Sequence, residues 1–353
     1  MAINQSKTKR IFFFSFDGKV EEWKRHLPGS DVEFLQSPRS MVMLPFWVMR
    51  NWNKAPNAVV IRYLNQKYSF HQEVISTLKL LFALLFFRVL FIKIGWICHN
   101  VDRETKTYFP NLMKIKRTAL KFSASHIFVT DVLLVEKLIK FVGISKNKIS
   151  ICTFGAFGST KTIHKHFKLS EGKPAIKKLV HGLMTGVCAN GGGPKRIRGA
   201  ELILEMSYES LREKIPLQFL ITGGQVLYIK NNNLNLYRKL SAQPNIELIE
   251  GNISLECLKE INFFDFSIKC YTDYSVPLGL YHSISLCKPI MAENGTFVSE
   301  MVEYYSLGST VESDCSNLKE AIEKLKEFDY KKREAFMTRN SWERGALALK
   351  KLV

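Results

Sequence analysis

Residues 95–109 read GWICHNVDRETKTYF, an apolar run that ends at Cys98 and breaks at once into His99, Asn100, Asp102, Arg103 and Glu104. A short, continuously apolar run bounded by polar residues is the pattern of a strand buried on both faces of a parallel sheet. An open α/β sheet receives its ligand beyond the carboxyl ends of such strands. The polar burst after Cys98 therefore predicts a ligand-facing rim.

Working outward, the same alternation recurs. In the first half it predicts strands at 10–16, 31–36, 58–63, 94–99, 125–130 and 149–153, with helices at 70–92, 109–123 and 131–142. Residues 161–178 are rich in Lys and His and lose periodicity, the mark of a linker. A second alternation follows: strands near 179–187, 217–222, 246–250, 265–269 and 289–292, and helices near 199–213, 254–263 and 277–287 and from 297 and 316. Ser316 or Asn317 is placed to cap the last, amphipathic segment. The expectation is an α/β protein of two Rossmann-like domains, 1–165 and 166–353, facing across a cleft, with a C-terminal helix packing back on the first.

The 353 residues, 46% hydrophobic and 24% charged, suffice for two cores of ordinary domain size. Seven widely spaced cysteines without a CxxC pair argue against a disulfide framework and a zinc site, and predict a reducing compartment. The basic start ahead of IFFFSFDG carries too short an apolar patch for a signal peptide. In residues 78–96, the most hydrophobic stretch, Lys79, Arg88 and Lys93 leave an uncharged run of eight residues at most, far below the ~20 that span a bilayer. A cytoplasmic protein is expected. The formal charge of +19 calls for anionic partners, and it is concentrated: 103–121 carries six Lys/Arg against one Glu, and 161–178 six Lys against one Glu. Solvated basic faces explain these runs equally well.

Five stretches fall where a ligand is expected. After the first strand, Asp17-Gly18 opens a helix, where glycine permits a tight turn; a plain βα turn accounts for the same residues. In the opening stretch His99 and Asn100 can orient a sugar hydroxyl, and Asp102 or Glu104 can act as general base; carboxylates complementing a helix amino end are the alternative. Next, Gly191, Gly192 and Gly193 with Lys195, Arg196 and Arg198 combine mobile amides, cations and a helix start, a receiver for a diphosphate or else a flexible basic loop. No Walker A pattern is present. Gly223-Gly224 end a strand, where close packing and ligand approach both suit glycine. Finally, Ser275, Val276, Pro277, Leu278 and Gly279 lie at a helix amino end suited to phosphate, and Glu293 and Glu300 flank a Gly295 loop suited to sugar hydroxyls.

Together these stretches resemble the GT-B glycosyltransferases, in particular family 4 and the related bacterial exopolysaccharide enzymes. WICHN is similar to their W-x-x-H-N strand end, GGGPKRIRG to the loop opening their C-terminal domain, and YTDYSVPLGLYHSISLCKPIMAENGTFVSEMV to their P-x-x-x-SGS…E stretch. The resemblance implies transfer of a sugar from a nucleotide-sugar donor, held by the second domain, to a glycan or polyprenyl-diphosphate-linked acceptor held by the first, in surface polysaccharide synthesis. It implies neither metal nor cofactor. Gly193, Lys195, Arg196, Arg198, Gly223 and Ser275 to Gly279 would face the donor, and Glu300 its ribose. Asp102, Asp17 and His99 would be catalytic, with Gly18, Asn100 and Glu104 beside the acceptor. One departure stands out: the E-x7-E signature of retaining members is missing, Glu293 and Glu300 being separated by six residues, with His282-Ser283 where a catalytic-region Glu would fall. An inverting enzyme would use Asp102 or Asp17 as base; a retaining one would lean on donor phosphate.

A lipid-linked acceptor would bring the chain to the inner face of the membrane, and residues 70–93 and 103–121 are the expected peripheral contact with an anionic surface. Apolar residues nearly all round 78–92 equally fit a buried core helix. Two competing readings remain: a basic nucleic-acid-binding protein, which lacks the usual aromatic-and-basic motifs, and a non-catalytic GT-B-like subunit.

Overall fold

The apolar runs do form strands, and they form them in two separate sheets. The computed structural model describes residues 8–27, 31–102, 107–156, 176–189, 197–251, 253, 255–271 and 273–353. Two units result: Met1–Gly155 with Asn340–Val353, and Ala156–Arg339. The first unit thus closes ahead of residue 165, and the last fourteen residues belong to it.

The first unit holds β1 (Lys9–Phe13), β2 (Val32–Gln36), β3 (Ala58–Ile61), β4 (Lys93–Ile97), β5 (His126–Val129) and β6 (Ile149–Ile151), all parallel, in the order β2-β1-β3-β4-β5-β6. Every residue of β3 is buried, as a strand covered by helices on both faces requires. The sequence-based strands at 10–16 and 149–153 end early, because the chain leaves the ladder to deliver polar groups. Asp17, for example, caps the helix Gly18–Arg25 by accepting from the Lys19 and Val20 amides. The helix expected at 131–142 starts at Leu134, and the helix Leu44–Arg50, with Pro45 in its first turn, was not anticipated. The C-terminal helix Trp342–Lys350 seals this unit: Trp23 donates from Nε1 to Thr153 O at 3.0 Å, Thr153 Oγ1 to Ser341 O at 2.8 Å, and Trp342 meets Trp23 edge-on.

The second unit holds β7 (Met184–Ala189), β8 (Leu217–Thr222), β9 (Ile246–Ile249), β10 (Phe266–Lys269), β11 (Ile290–Glu293) and β12 (Gly308–Val311), again parallel, in the order β12-β11-β10-β7-β8-β9. β12 escaped the sequence reading, as did the helices Gly224–Asn232 and Leu234–Ala242, the latter capped by the Asn233 side chain. β7 begins later than the expected strand at 179–187. The terminal amphipathic stretch divides into Leu318–Lys326, Tyr330–Arg339 and the helix of the first unit. Asn317 does precede the first of these, but its carboxamide is spent on Glu312 N and Thr310 O rather than on the helix.

Candidate functional site

Each sheet has one point where successive strands leave in opposite directions from a central strand, and there the carboxyl ends open a crevice. In the first sheet that point is between β1 and β3, and a polar cluster fills it. Arg62, immediately after β3, is wholly buried at its side chain and donates to Asp17 Oδ1 at 2.6 Å, Ser15 O at 3.3 Å and, from Nε, His99 Nε2 at 3.3 Å. Its second terminal nitrogen donates to Tyr63 Oη at 3.0 Å, and the Tyr63 hydroxyl in turn donates a hydrogen bond to Asp17 Oδ2 at 3.1 Å. His99 therefore lies beyond the end of β4 as an acceptor, sandwiched between Tyr63 (4.9 Å, 20°) and Phe154 (5.8 Å, 14°).

The electrostatics follow from this packing. Burial works to raise the Asp17 carboxyl, but the charge and hydrogen bond of Arg62, aided by Lys19 and the Val20 amide, outweigh it and hold the group below the usual carboxylate value. Burial, then the cations Lys19 and Arg62, keep His99 neutral well below the ordinary imidazole range. Burial and Arg62 also bring the Lys19 ammonium down to about 8 in spite of Asp17. Tyr63 is pushed up to about 12 by burial, which with Asp17 prevails over the opposing charge of Arg62. Lys19 Nζ lies over the Phe154 ring, 5.0 Å from its centroid, and 3.4 Å from Tyr63 Oη.

The structure thus joins Asp17 and His99 through Arg62, with Gly18 buried at the helix start. Arg62, Tyr63 and Lys19 were missed in the sequence, although Arg62-Tyr63 break the apolar run VVI in the way that His99-Asn100 break WIC. Asn100 and Asp102 are positioned by their main chain: Arg117 donates to the carbonyls of Asn100 (2.8 Å), Val101 (2.7 Å) and Asp102 (3.1 Å), fixing the turn. Glu104 lies outside the described residues.

In the second sheet the switch lies between β7 and β10. Lys269, 1% exposed at the end of β10, directs its ammonium to Ala189 O at 3.5 Å, at the end of β7. Gly279, in the first turn of the helix Leu278–Ser285, gives it room: a Cβ there would sit 3.0 Å from Nζ. The loop Ser275–Pro277 leads into that turn, with Pro277 at its N-cap. Beside it, Arg198 in the first turn of the helix Ile197–Arg212 grips Glu293 at the end of β11 with Nε (2.9 and 3.0 Å) and a terminal nitrogen. Its other terminal nitrogen lies 3.8 Å from Glu201. Arg198 is therefore a neutralised cation, and Lys269, missed in the sequence, is the buried basic side chain at the switch point.

Thr296 and Ser299 form a reciprocal cap that places Glu300 in the first turn of the helix Phe297–Tyr305. Gly223 adopts φ 96° and donates to Gly251 O at 2.7 Å, so its glycine character serves the β8 turn. His282 and Ser283 are buried in their helix, where Ser283 Oγ meets Ser267 Oγ at 2.5 Å. Gly193, Lys195 and Arg196 lie outside the described residues, and no group of three His, Cys, Asp or Glu side chains that could hold a metal occurs among the described ones.

Two six-stranded parallel sheets, each flanked by helices and each with its own topological switch point, define the GT-B class of fold. Solved structures of that class align along almost the entire chain. A glycosyltransferase from Rickettsia africae ESF-5 shares 11% identity over 98% of this chain and 97% of its own, with a TM-score of 0.64. Anabaena Alr3699/HepE in complex with UDP shares 10% over 98% and 99%, at 0.62. UDP-GlcNAc 2-epimerase from Methanocaldococcus jannaschii shares 12% over 98% and 99%, at 0.56. At such identities the likeness is one of fold. No protein-family model and no curated protein matches the sequence.

Proposed function

We propose that the protein is a glycosyltransferase that takes a nucleotide-sugar donor on its second unit and an acceptor on its first. The observation that carries this reading is the buried Lys269 ammonium at the β7–β10 switch point, against Gly279 and the first turn of the helix Leu278–Ser285. A buried cation beside a helix amino end binds a diphosphate and disperses the charge that grows on it as it leaves. Lys195 and Arg196, just ahead of Arg198 in the sequence, would add cations to the donor site, and Glu300 receives the ribose. The fold neighbours solved with UDP give the same class of ligand.

In the transfer, the bond from the sugar anomeric carbon to the diphosphate breaks and a bond to the acceptor oxygen forms. The acceptor proton goes to Asp17, which Arg62 and Tyr63 hold ionised with 39% of its side chain still exposed. Neutral His99 orients the acceptor hydroxyl. Cations and helix dipoles stand where a divalent metal would otherwise neutralise the diphosphate, so no metal is required. The acceptor is a glycan or a polyprenyl-diphosphate-linked saccharide.

A melting-temperature panel with UDP, GDP, CMP and their sugars tests the donor half. At least one should raise the melting temperature, and Lys269→Met should remove that rise. A panel in which no nucleotide acts, or a rise that survives Lys269→Met, would overturn the reading. Release of nucleoside diphosphate from the sugar nucleotide that binds separates an enzyme from a non-catalytic subunit.

A further inference from the structure

Beyond β3, Leu64 and Gln66 are buried while Tyr63, Asn65 and Lys67 are exposed. The carboxamide of Gln66 grips the segment that enters the helix Pro110–Ser123: its Oε1 accepts from the Tyr108 and Phe109 amides, each at 2.7 Å, and its Nε2 donates to Phe109 O at 2.8 Å. One residue on, Lys67 N donates at 2.9 Å to Oε2 of Glu73, in the first turn of the helix Phe70–Val89. Glu73 Oε1 in turn lies 2.5 Å from Lys116 Nζ, and both side chains are buried. The loops that follow the neighbouring strands β3 and β4 are thus fastened to each other and to two helices by a buried carboxamide and a buried ion pair.

What these clamps hold in place is aromatic and exposed. Tyr68 is 76% and Tyr108 41% exposed, with ring centroids 4.8 Å apart and planes inclined by 38°. A hydrogen bond between their hydroxyls raises Tyr108 above the usual phenol value. Exposed rings gain little from folding, whereas rings ordered in advance lower the cost of a contact made later. The pair stands on the same carboxyl rim of the sheet as the Arg62 cluster: Tyr63, which stacks on His99, precedes Tyr68 by five residues, a reach of at most about 18 Å. An aromatic face is electron-rich and attracts the C–H groups that a pyranose presents on its own face, while the phenol hydroxyls exchange hydrogen bonds with sugar hydroxyls.

We propose that Tyr68 and Tyr108 form a second sugar subsite, on which a saccharide unit stacks at a distance from the reacting one, so that the acceptor is an oligosaccharide rather than a single sugar. The inference rests on the sugar-transfer reading and adds to it the length of the acceptor. Asp17 and His99 handle the reacting hydroxyl. The tyrosine pair touches no reacting atom; it supplies affinity and selects for length. Continuity of the rim from Arg62 to Tyr68 selects this occupant, because a chain of sugars that starts at Asp17 runs out over the rings that the Gln66 and Glu73 clamps hold ready.

The test is binding of the full chain to a glycan array that presents bacterial surface oligosaccharides beside the monosaccharides that compose them, with the nucleotide melting panel run in parallel. The parent chain should prefer at least one oligosaccharide to its monosaccharides, and Tyr68→Ala/Tyr108→Ala should weaken that binding about ten-fold, towards the monosaccharide level. Tyr68→Trp, which keeps a stacking face, should retain most of it. Circular dichroism and the nucleotide response should be unchanged in both variants. Equal binding of monosaccharides, oligosaccharide binding that survives the double substitution, or capture of oligodeoxythymidine in place of any glycan overturns the proposal. A nucleotide response without any oligosaccharide preference sinks the subsite alone. Absence of a nucleotide response in the parent chain is a failure of the sugar-transfer reading itself, and the subsite falls with it.

Discussion

Replacing Arg62 by methionine keeps the length and apolar stem of the side chain and deletes the one group that holds the first-unit cluster together. Four hydrogen bonds are lost, to Asp17, Ser15 O, His99 and Tyr63. Breaking a fully buried ion pair costs about 3–5 kcal/mol. Here Asp17 is 39% exposed, so water takes over part of the lost partner, and the cost falls towards the ~1.5–3 kcal/mol of a hydrogen bond to a charged group. About 2 kcal/mol is expected, which for a unit of this size lowers its melting temperature by about 4–8 °C. All five tryptophans belong to the first unit, so intrinsic fluorescence reports its unfolding alone. The pH dependence gives a second readout. Asp17, held low, contributes stability that is present above about pH 4 and lost as pH falls through its folded value. His99, held low, lets the unfolded chain take up a proton first, so stability declines as pH drops below about 6.5. Without Arg62 the His99 resonance should titrate closer to about 6.5 in a histidine NMR titration, and the decline should flatten. A cost below about 0.5 kcal/mol together with an unmoved His99 would refute the account of the cluster.

Lys19 and the C-terminal helix offer two further checks. Because the Lys19 ammonium is brought down to about 8, the unfolded chain holds the extra proton between about pH 8 and 10.4; this group should make the first unit more stable as pH rises through that window, and Lys19→Met should remove the rise in fluorescence-detected melting. At Gly345 a Cβ would sit 2.2 Å from Thr153 O and 2.5 Å from Trp23 Nε1, so Gly345→Ala should cost about 3 kcal/mol by overpacking and loss of the Trp23 hydrogen bond. Unchanged urea unfolding of Gly345→Ala would contradict the observed seating of that helix.

Some of the candidate site was legible because it depends on short-range pattern. The step from WIC to His99, and from SF to Asp17, is visible as an apolar run giving way to polar residues, and in a parallel sheet that step marks a strand's carboxyl end. The same rule, applied to VVI-Arg62-Tyr63 and FSI-Lys269, would have found the two cations that organise the switch points. They stood out less because an isolated Arg or Lys after a strand is ordinary on a surface. Their burial exists only once β1, β3 and β4, or β7 and β10, are side by side. Arg198 shows the converse: beside Lys195 and Arg196 it reads as a phosphate cation, yet Glu293, ninety-five residues away, occupies it.

The sequence by itself determined the class of fold, since the period and length of apolar runs decide which segments can be buried strands and which amphipathic helices, and those are local properties. It determined the excess of positive charge and the absence of acids around residues 39–54 and 74–97 as well. Only the tertiary structure decided which strand ends are neighbours, and hence that Asp17, Arg62 and His99 share hydrogen bonds while Asp102 is held through its carbonyl. Only it decided that one face of the helix Phe70–Val89 is core and the other is open. Both kinds of residue on that helix are apolar, and which of them meets protein depends on contacts between segments far apart in the chain.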